Sequence, residues 1–165
     1  MIDVVDENDA IVGSAQLRAC LEQGLLHRAV AVLILRGGGK VLLQQRSKRD
    51  PWHPGLWTVS CTGHVRKGES YGHAAKRELR EELGLRSPLS EHTKIRIPTL
   101  RCRGLIESEW VTFFVSVSRA HVAIDHLELE GTEEVTLPHL RQMLDGRKLT
   151  PDAKIILRNY LRGVL

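Results

Sequence analysis

The sequence predicts an α+β domain in which helices pack on a mixed β-sheet. Two observations predict this class: short β-branched and apolar runs outnumber the helical segments, and one amphipathic helix lies in mid-chain between them. The length adds a third, because 165 residues can enclose a core but rarely form two domains. No repeat or linker-like stretch divides the chain, so we expect one domain over residues 1–165.

The strands are predicted from apolar runs that end at turn residues. Residues 29–36 and 40–46 flank three consecutive glycines at 37–39, and this pattern favours a hairpin. The acidic stretch 121–134 is expected to be mainly a solvated loop. Further strands are expected at residues 56–62, 94–105, 109–118 and 133–137.

A helix is predicted over residues 69–83. At about 100° per residue its apolar positions gather into one stripe, which is expected to face the core. That stripe consists of Tyr71, Gly72, Ala75, Leu79 and Leu83. Gly84 is expected to end the helix, since glycine readily adopts the left-handed conformation found there. Two later helices are expected at residues 138–145 and 151–162.

Composition and charge exclude several function classes. Hydrophobic residues make up 42% and charged residues 27% of the chain, which excludes a disordered or fibrous protein. A net charge of +4 permits an anionic partner but is too small to indicate nucleic-acid binding. The longest apolar run, residues 29–35, is far short of the roughly 20 residues that span a bilayer.

The cysteines and the N-terminus indicate the compartment. The cysteines Cys20, Cys61 and Cys102 are an odd number at wide spacing, which is typical of reduced thiols. Residues 1–9 carry four acidic residues and no basic residue, unlike a signal peptide. We therefore expect a cytoplasmic protein.

Three glutamates cluster on one flank of the predicted helix. Glu78, Glu81 and Glu82 lie at positions i, i+3 and i+4, beside the apolar stripe. Like charges repel, so their clustering favours a divalent cation that takes several carboxylate oxygens as ligands. The alternative is an ordinary acidic flank whose charge Arg77 and Arg80 balance.

This helix is part of a longer pattern. Gly63 is followed after five residues by Glu69, and after seven more by R-E-L-R-E-E-L-G-L over residues 77–85. The pattern resembles the Nudix box, the signature motif of the Nudix family, and every specified position matches. With average residue usage, a chance match in a chain of this length is on the order of one in ten million.

The resemblance implies an α/β/α sandwich, the Nudix fold, with a mixed sheet between helices. It also implies attack of water on a phosphorus of a small-molecule diphosphate. A bound Mg²⁺, or Mn²⁺ in its place, would offset the developing charge and lower the pKa of water. The implied ligands are the carboxylates of Glu78, Glu81 and Glu82 and the carbonyl of Gly63.

Roles in catalysis are implied by the same motif. The catalytic residues are expected to be Arg77, Glu81 and Glu82. Glu69 is expected to pair with Arg77 and so support the loop and the helix. A carboxylate near the metal can take the proton from water. Glu81 is our first choice for this general base, and a glutamate farther along the chain, Glu133 or Glu134, is the rival.

A second resemblance extends outside the box, to type I isopentenyl diphosphate isomerases, which are similar to Nudix proteins in fold. The matching segments are L-H-R-A-V (26–30), V-L-L-Q-Q-R-S (41–47), H-P-G-L-W-T (53–58), G-H (63–64) and I-E-S-E (106–109). By this resemblance Arg46 meets the diphosphate. The resemblance also implies a second metal site formed by His27, His64, Glu107 and Glu109, for Mn²⁺, Zn²⁺ or Mg²⁺. Structural histidines and a solvated strand face are the alternative interpretation.

The chain departs from the isomerase pattern at its catalytic positions. Thr62 stands where those enzymes have a proton-transferring cysteine, and Cys61 is one residue early, so on a strand it faces the opposite side. Cys102 replaces the active-site tyrosine, Cys20 replaces a metal-binding histidine, and Asp152 replaces a late tryptophan. These departures favour hydrolysis over isomerisation.

The resulting hypothesis is a Mg²⁺-dependent hydrolase that cleaves a diphosphate linkage in a nucleoside di- or triphosphate or a related compound. Isopentenyl diphosphate isomerase is the first alternative, and a non-catalytic nucleotide- or diphosphate-binding module is the second. The expected partner is a small-molecule diphosphate, with neither nucleic acid nor membrane, and a homodimer is left open.

Overall fold

The computed structural model describes residues 1–163 and contains one nine-stranded sheet and four helices. The strands are β1 (Ile2–Val5), β2 (Ile11–Ala15), β3 (His27–Arg36), β4 (Lys40–Arg46), β5 (Trp57–Thr58), β6 (Cys61–His64), β7 (Ser90–Cys102), β8 (Leu105–Val117) and β9 (Leu129–Thr136). The helices are α1 (Leu17–Gln23), α2 (Tyr71–Leu83), α3 (Leu137–Asp145) and α4 (Pro151–Gly163). None of these helices is long and apolar enough to cross a membrane.

Strand β3 lies at the centre of the sheet. Strand β8 runs parallel to it along residues 27–35, while β6 pairs antiparallel with residues 29–32 and β4 with the last three residues. The hydroxyl of Ser60 lies between β3 and β4, at the point where the two strands separate. It accepts a hydrogen bond from the N–H of Ile34 at 2.7 Å and donates one to the carbonyl of Leu42 at 2.5 Å.

The sheet buries an apolar surface on each face. One face packs Leu33 and Phe113 against buried side chains of α3 and α4, and the other packs Val32 against Leu79 of α2. Antiparallel pairs surround the single parallel pair, β3 with β8. This arrangement confirms the predicted mixed sheet between helices.

Several predicted segments have different bounds in the structure. The strands expected at 94–105 and 109–118 both begin four residues earlier, at Ser90 and Leu105. The strand expected over 56–62 is two short strands, because the chain leaves β4 at Thr58 and joins β3 at Cys61, with Ser60 buried where β3 and β4 separate. The acidic stretch was expected to be mainly a loop, but its last residues belong to β9, which pairs with β4 from Leu129 to Thr136. The acidic side chains of β9 are exposed, so their charge does not oppose strand formation.

The N-terminal residues form elements that the sequence analysis does not predict. Strands β1 and β2 pair antiparallel, and β2 is almost wholly exposed, so it lacks the apolar alternation that marks a strand. Strand β1 also holds the loop that precedes α2. The N–H of Lys67 donates to the carbonyl of Met1 at 3.0 Å, and the N–H of Gly68 donates to the carboxylate of Asp3 at 2.8 Å.

Helix α2 begins two residues later than predicted because Ser70 is its N-cap. The hydroxyl of Ser70 accepts a hydrogen bond from the N–H of His73 at 3.3 Å. Glu69 therefore lies before the first residue of α2, and its side chain can extend alongside the helix. Gly84 ends the helix as predicted, with φ of 66° and its N–H bonded to the carbonyl of Arg80.

Candidate active site

A cavity of about 700 Å³ lies between the C-terminal half of α2, the loop before β9 and the ends of β4, β6 and β8. Acidic groups dominate its lining although the whole chain carries a net charge of +4. Eight carboxylates line it: Asp50, Glu78, Glu81, Glu82, Glu107, Glu109, Glu128 and Asp152. Four arginines line it: Arg46, Arg49, Arg66 and Arg77.

Gly63 allows α2 to approach β6 closely. A Cβ atom at this position would lie 2.2 Å from the carboxyl carbon of Glu78, so a side chain there would displace the Glu78 carboxylate. The approach brings Glu82 over the sheet as well, where its Oε2 lies 3.4 Å from the N–H of Thr62. The structure thus places Gly63, Glu78 and Glu82 together, and Glu81 lies on the same flank of α2 at the cavity.

Arg77 connects the loop, β6 and the carboxylates. Its Nε and one terminal nitrogen donate to the two oxygens of Glu69, both at 2.9 Å, and it donates to the carbonyl of His64 at 3.0 Å. The other terminal nitrogen contacts Glu78 and lies 3.3 Å from Glu81. Hydrogen bonds from Arg77 are the main reason that the pKa of Glu69 lies below its usual range.

Burial perturbs the carboxylates closest to the sheet. Burial, and then the charge of Glu78, raise the pKa of Glu82 from 4.5 to about 8. Burial raises the pKa of Glu78 too, although its contact with Arg77 opposes the rise. Cys61 lies beneath them, wholly buried, and its thiol contacts Glu82. A cation near this pair would remove the cost of holding two ionised carboxylates side by side.

A second cluster lies at the same cavity, where β3, β6 and β8 run side by side. His27 and His64 present nitrogens that lie within 4.8 Å of each other and of a Glu109 oxygen. Their Nε2 atoms lie 3.4 and 3.3 Å from Oε1 of Glu109, and Glu107 is 4.0 Å from His64. The pairing of β3 with β8, which sets His27 opposite Glu109, and of β3 with β6, which sets Ala29 opposite His64, produces the cluster.

The polar atoms of this cluster fit a metal ion. Both imidazole Nε2 atoms are buried, and neither makes a well-oriented hydrogen bond within residues 1–163, although Oε1 of Glu109 lies 3.3–3.4 Å away. The Nδ1 atom of His27 lies 2.8 Å from the carbonyl of Leu25, and a proton on Nδ1 leaves Nε2 with a free lone pair. Burial alone would raise the pKa of Glu109, but the adjacent imidazoles outweigh it and hold that pKa below its usual range. Two imidazoles with two carboxylates form a donor set suited to Mn²⁺, Zn²⁺ or Mg²⁺.

The remaining predicted residues lie at or near the cavity. Arg46 lines it, but its guanidinium also donates to Asp50 at 2.7 Å and to the carbonyl of Trp52 at 2.7 Å. Thr62 lines the cavity, whereas Cys61 packs on the α2 side of the sheet. The alternation of the strand therefore turns Cys61 away from the second cluster, as predicted.

Glu128 is a cavity residue that the sequence analysis missed. It lies in the loop before β9, which is fixed to the end of α2: the N–H groups of Ala123 and Asp125 donate to the carbonyls of Leu83 and Glu82, both at 3.1 Å. No motif marks this glutamate, since only the fold brings it to the cavity.

The two glutamates proposed as rival bases lie elsewhere. Glu133 and Glu134 are exposed on β9, outside the cavity lining, and Glu134 lies 3.3 Å from Arg36. Their position in the sheet, paired with the middle of β4, keeps them away from α2. The expectation that one of them reaches the site is therefore wrong, and Glu128 is the glutamate from this part of the chain that lines the cavity.

Comparison with known families agrees with this geometry. Residues 25–158 match the NUDIX domain. The chain belongs to the Nudix family. That membership supports hydrolase activity at the level of the family. Residues 25–158 include all of the cavity-lining residues except Met1, Ile2 and Leu17.

Curated relatives of this Nudix protein carry two kinds of name. An isopentenyl-diphosphate delta-isomerase of Serratia proteamaculans is 38% identical over 117 residues, which are 71% of this chain and 65% of that protein. An uncharacterised Nudix hydrolase of Yersinia pestis is 32% identical over 141 residues, which are 82% of this chain and 75% of that protein. The chain thus spans slightly less than two thirds of the length of the Serratia protein.

Among solved structures, the protein DR0079 of Deinococcus radiodurans has the same fold. Its TM-score is 0.80 at 22% identity, and the match covers 96% of this chain and 97% of that one. At this identity the likeness concerns the Nudix fold alone.

Proposed function

We propose that the protein is a Mg²⁺-dependent pyrophosphohydrolase that cleaves a diphosphate linkage in a small molecule. The observation that carries this proposal is the position of Glu78, Glu81 and Glu82, which line one cavity. Arg77 contacts two of them, Glu78 and Glu81. A cavity of about 700 Å³ is within the range of roughly 300–1,000 Å³ that is usual for small ligands.

The charge of the cavity supports a requirement for cations. Eight carboxylates against four arginines would repel an anionic diphosphate. The residues that would hold Mg²⁺ are Glu78, Glu81 and Glu82 with the carbonyl of Gly63, and Mn²⁺ could replace it. Bound there, the ion would neutralise the diphosphate and lower the pKa of water.

The protein's own groups have distinct proposed roles. Glu81 is the proposed general base, because its side chain is 41% exposed and can reach a water in the cavity. Glu128 is the second choice for that role. Arg77 orients Glu78 and Glu81, and Glu69 fixes Arg77. Arg46 and Arg66, which also line the cavity, are the proposed partners of the phosphate oxygens.

The second metal site is a separate part of the proposal. We assign it to His27, His64, Glu107 and Glu109, because its two buried imidazole nitrogens make no well-oriented hydrogen bond among the described residues. An ion there would add positive charge on the other side of the cavity. It would also neutralise the negative charge of Glu107 and Glu109, which would otherwise repel an anionic substrate.

The proposal includes a cytoplasmic location and a single domain. Strands from residue 2 to residue 136 share one sheet, which supports the single domain. The three cysteines are free thiols, which supports a reducing compartment.

Isomerisation of isopentenyl diphosphate is the second candidate function. The Serratia relative and the four side chains of the second cluster favour it. Against it stand Thr62 in the place of the catalytic cysteine and the burial of Cys61 beneath Glu82. Incubation with isopentenyl diphosphate, followed by product analysis, distinguishes the two. Formation of dimethylallyl diphosphate at an enzymatic rate, without phosphate release, would make isomerisation the first candidate function and hydrolysis the second.

The decisive experiment measures phosphate and pyrophosphate release with Mg²⁺ from a panel of nucleotides, dinucleotides, sugar nucleotides and isoprenoid diphosphates. We expect Glu81→Gln and Glu82→Gln to abolish release while the circular dichroism spectrum is unchanged. Glu91→Gln, an exposed change on β7, is the matched control. Unchanged turnover in both cavity variants would refute the proposal, and tight nucleotide binding without turnover by the wild type would indicate a binding module.

A further inference from the structure

The cavity contains a buried carboxylate oxygen that neither proposed metal site uses. Asp152 lies in the first turn of α4 and lines the cavity. Its Oδ1 atom is buried and has no hydrogen-bond partner within residues 1–163. Leaving a buried acceptor unpaired is unfavourable, so such an atom is a candidate for binding a ligand.

The surroundings of Asp152 hold it in place without pairing Oδ1. Thr150, which is buried and accepts a hydrogen bond from the N–H of Ala153, lies beside the Asp152 carboxyl. Burial raises the pKa of that carboxyl, and Thr150 opposes the rise. Arg46 is the nearby cation, but it already donates to Asp50 and to the carbonyl of Trp52. The free oxygen is therefore a fixed acceptor that faces a cavity and lacks a donor.

Asp152 is a neighbour of the second cluster but not one of its closest donors. The nitrogens and oxygen that lie within 4.8 Å of one another belong to His27, His64 and Glu109, and no oxygen of Asp152 is among them. Its carboxyl is nevertheless close enough to Glu107 and Glu109 for their charges to interact. A second buried acceptor, Oε1 of Gln44, lines the same cavity and is likewise unpaired within the described residues. Two fixed acceptors in one cavity are complementary to a ligand that carries O–H or N–H donors.

We propose that Asp152 selects substrates whose group beyond the diphosphate presents a hydrogen-bond donor, as the hydroxyls and amino groups of a nucleoside do. This inference rests on the proposed function and specifies its substrate class. A site with a buried, fixed acceptor rejects a ligand that lacks the donor, because the acceptor would then stay unpaired in the complex. An apolar prenyl diphosphate is such a ligand.

The test compares binding, so that it does not depend on turnover. The probes are α,β-methylene-ADP, which resists hydrolysis, and methylenediphosphonate, which lacks the nucleoside, both titrated calorimetrically with Mg²⁺ present. We expect the wild type to prefer the nucleotide analogue and Asp152→Leu to lose about ten- to a hundredfold of that preference, which is the usual worth of a hydrogen bond to a charged group. Affinity for methylenediphosphonate should stay the same.

Matched variants separate this role from folding and from metal binding. Asp152→Asn keeps an acceptor oxygen and should retain most of the preference, and Asp145→Leu, an exposed acid on α3, should retain all of it. If Asp152→Leu fails to fold, Asp152→Ala is compared with the wild type on 2′-deoxy and purine-riboside analogues, each of which lacks one donor. The analogue whose loss of affinity is smaller in the Ala variant than in the wild type identifies the donor that Asp152 accepts.

Three results would overturn the inference. They are equal loss of affinity for both probes, a change in the number of bound metal ions, and a wild type that binds both probes equally. If the wild type prefers the nucleotide through Asp152 but releases no phosphate from any substrate, the proposed hydrolysis fails while this inference stands. If hydrolysis occurs without dependence on Asp152, this inference alone fails.

Discussion

Arg77 and Glu69 are joined by two parallel hydrogen bonds of 2.9 Å each. The same guanidinium donates to the carbonyl of His64. One side chain therefore connects α2, the loop before it and β6. A planar fork with several donors is needed for these bonds, and a lysine ammonium cannot reproduce it.

Replacing Arg77 by lysine should disorganise the carboxylates without removing any of them. We expect Arg77→Lys to lower kcat by about ten- to a hundredfold, because small misplacements of catalytic groups have effects of this size. The melting temperature should fall as well. Steady-state kinetics and calorimetry measure both, and Arg80→Lys, an exposed change on the same helix, should alter neither. Full activity in Arg77→Lys would show that the carboxylates keep their positions without the planar guanidinium of Arg77.

A methyl group at Gly63 should act on Glu78 alone. Because a Cβ at this position would overlap the Glu78 carboxylate, Gly63→Ala should weaken Mg²⁺ activation and reduce kcat at least tenfold, with little change in the fold. Gly72→Ala is the control, since a Cβ there meets no atom within 4 Å. That control lies in α2 and should raise the stability by roughly 0.5–1 kcal/mol. Equal activity of Gly63→Ala and Gly72→Ala would contradict the close approach of Glu78 to Gly63.

The stability of the metal-free protein should depend on the proton held by Glu82. Its pKa is about 8 in the folded protein but near 4.5 in the unfolded chain, so the folded state binds more protons between these values. The free energy of unfolding should therefore fall as pH rises from about 4.5 to about 8, and it should not vary through this group below that range. Denaturant titrations in the presence of a chelator measure the fall.

Mg²⁺ and substitution should both remove this dependence. Because the cation takes the place of the proton, it should raise the melting temperature more at pH 8 than at pH 6. Glu82→Gln should flatten the fall, whereas Glu91→Gln, an exposed change, should leave it as it is. If the free energy of unfolding of Glu82→Gln depends on pH as it does in the wild type, a group other than Glu82 causes the dependence.

Glu128 and Glu133 allow a direct comparison within one segment of the chain. Both are exposed, but Glu128 lines the cavity, whereas Glu133 lies on β9 outside it. We expect Glu128→Gln to reduce kcat by about tenfold or more, since general bases contribute roughly 10²–10⁴-fold and Glu81 remains. Glu133→Gln should have the activity of the wild type. The pH–rate profile distinguishes a general base, whose loss removes the acidic limb, from a carboxylate that only attracts cations.

Loss of Glu109 should affect the second metal site and leave the first intact. Without this carboxylate, His27 and His64 would keep only Glu107 nearby, so Glu109→Gln should bind one Mn²⁺ fewer than the wild type. Equilibrium dialysis or electron paramagnetic resonance counts the ions. Affinity at the α2 carboxylates should be retained. Identical stoichiometry in both proteins would argue that the imidazoles serve only the structure.

The parts of the site that the sequence predicts are those set by local geometry. Glu78, Glu81 and Glu82 share a flank because helical spacing puts them there, and Gly84 ends the helix with a local hydrogen bond, as predicted. The opposite orientations of Cys61 and Thr62 follow from strand alternation in the same way. The family resemblance supplied the second cluster, whose members come from three strands that pairing alone brings together.

The parts that could not be predicted depend on contacts between distant segments. Glu128 reaches the cavity through backbone bonds from its loop to the end of α2. Strand β2 escapes prediction because its exposed side chains lack apolar alternation. The acids of β9 suggested a loop, although strand pairing with β4 leaves their side chains in water.

Because Cys61 is buried beneath Glu82, its thiol can report on the separation of α2 from the sheet. An alkylating reagent can reach the sulfur only when α2 lifts from the sheet, so the labelling rate measures how often the carboxylate cluster comes apart. Cys102, which is less buried, provides an internal reference in the same sample. A single mass spectrum recorded over time would then follow the opening of the cavity in the unmodified chain, with no substrate and no engineered probe.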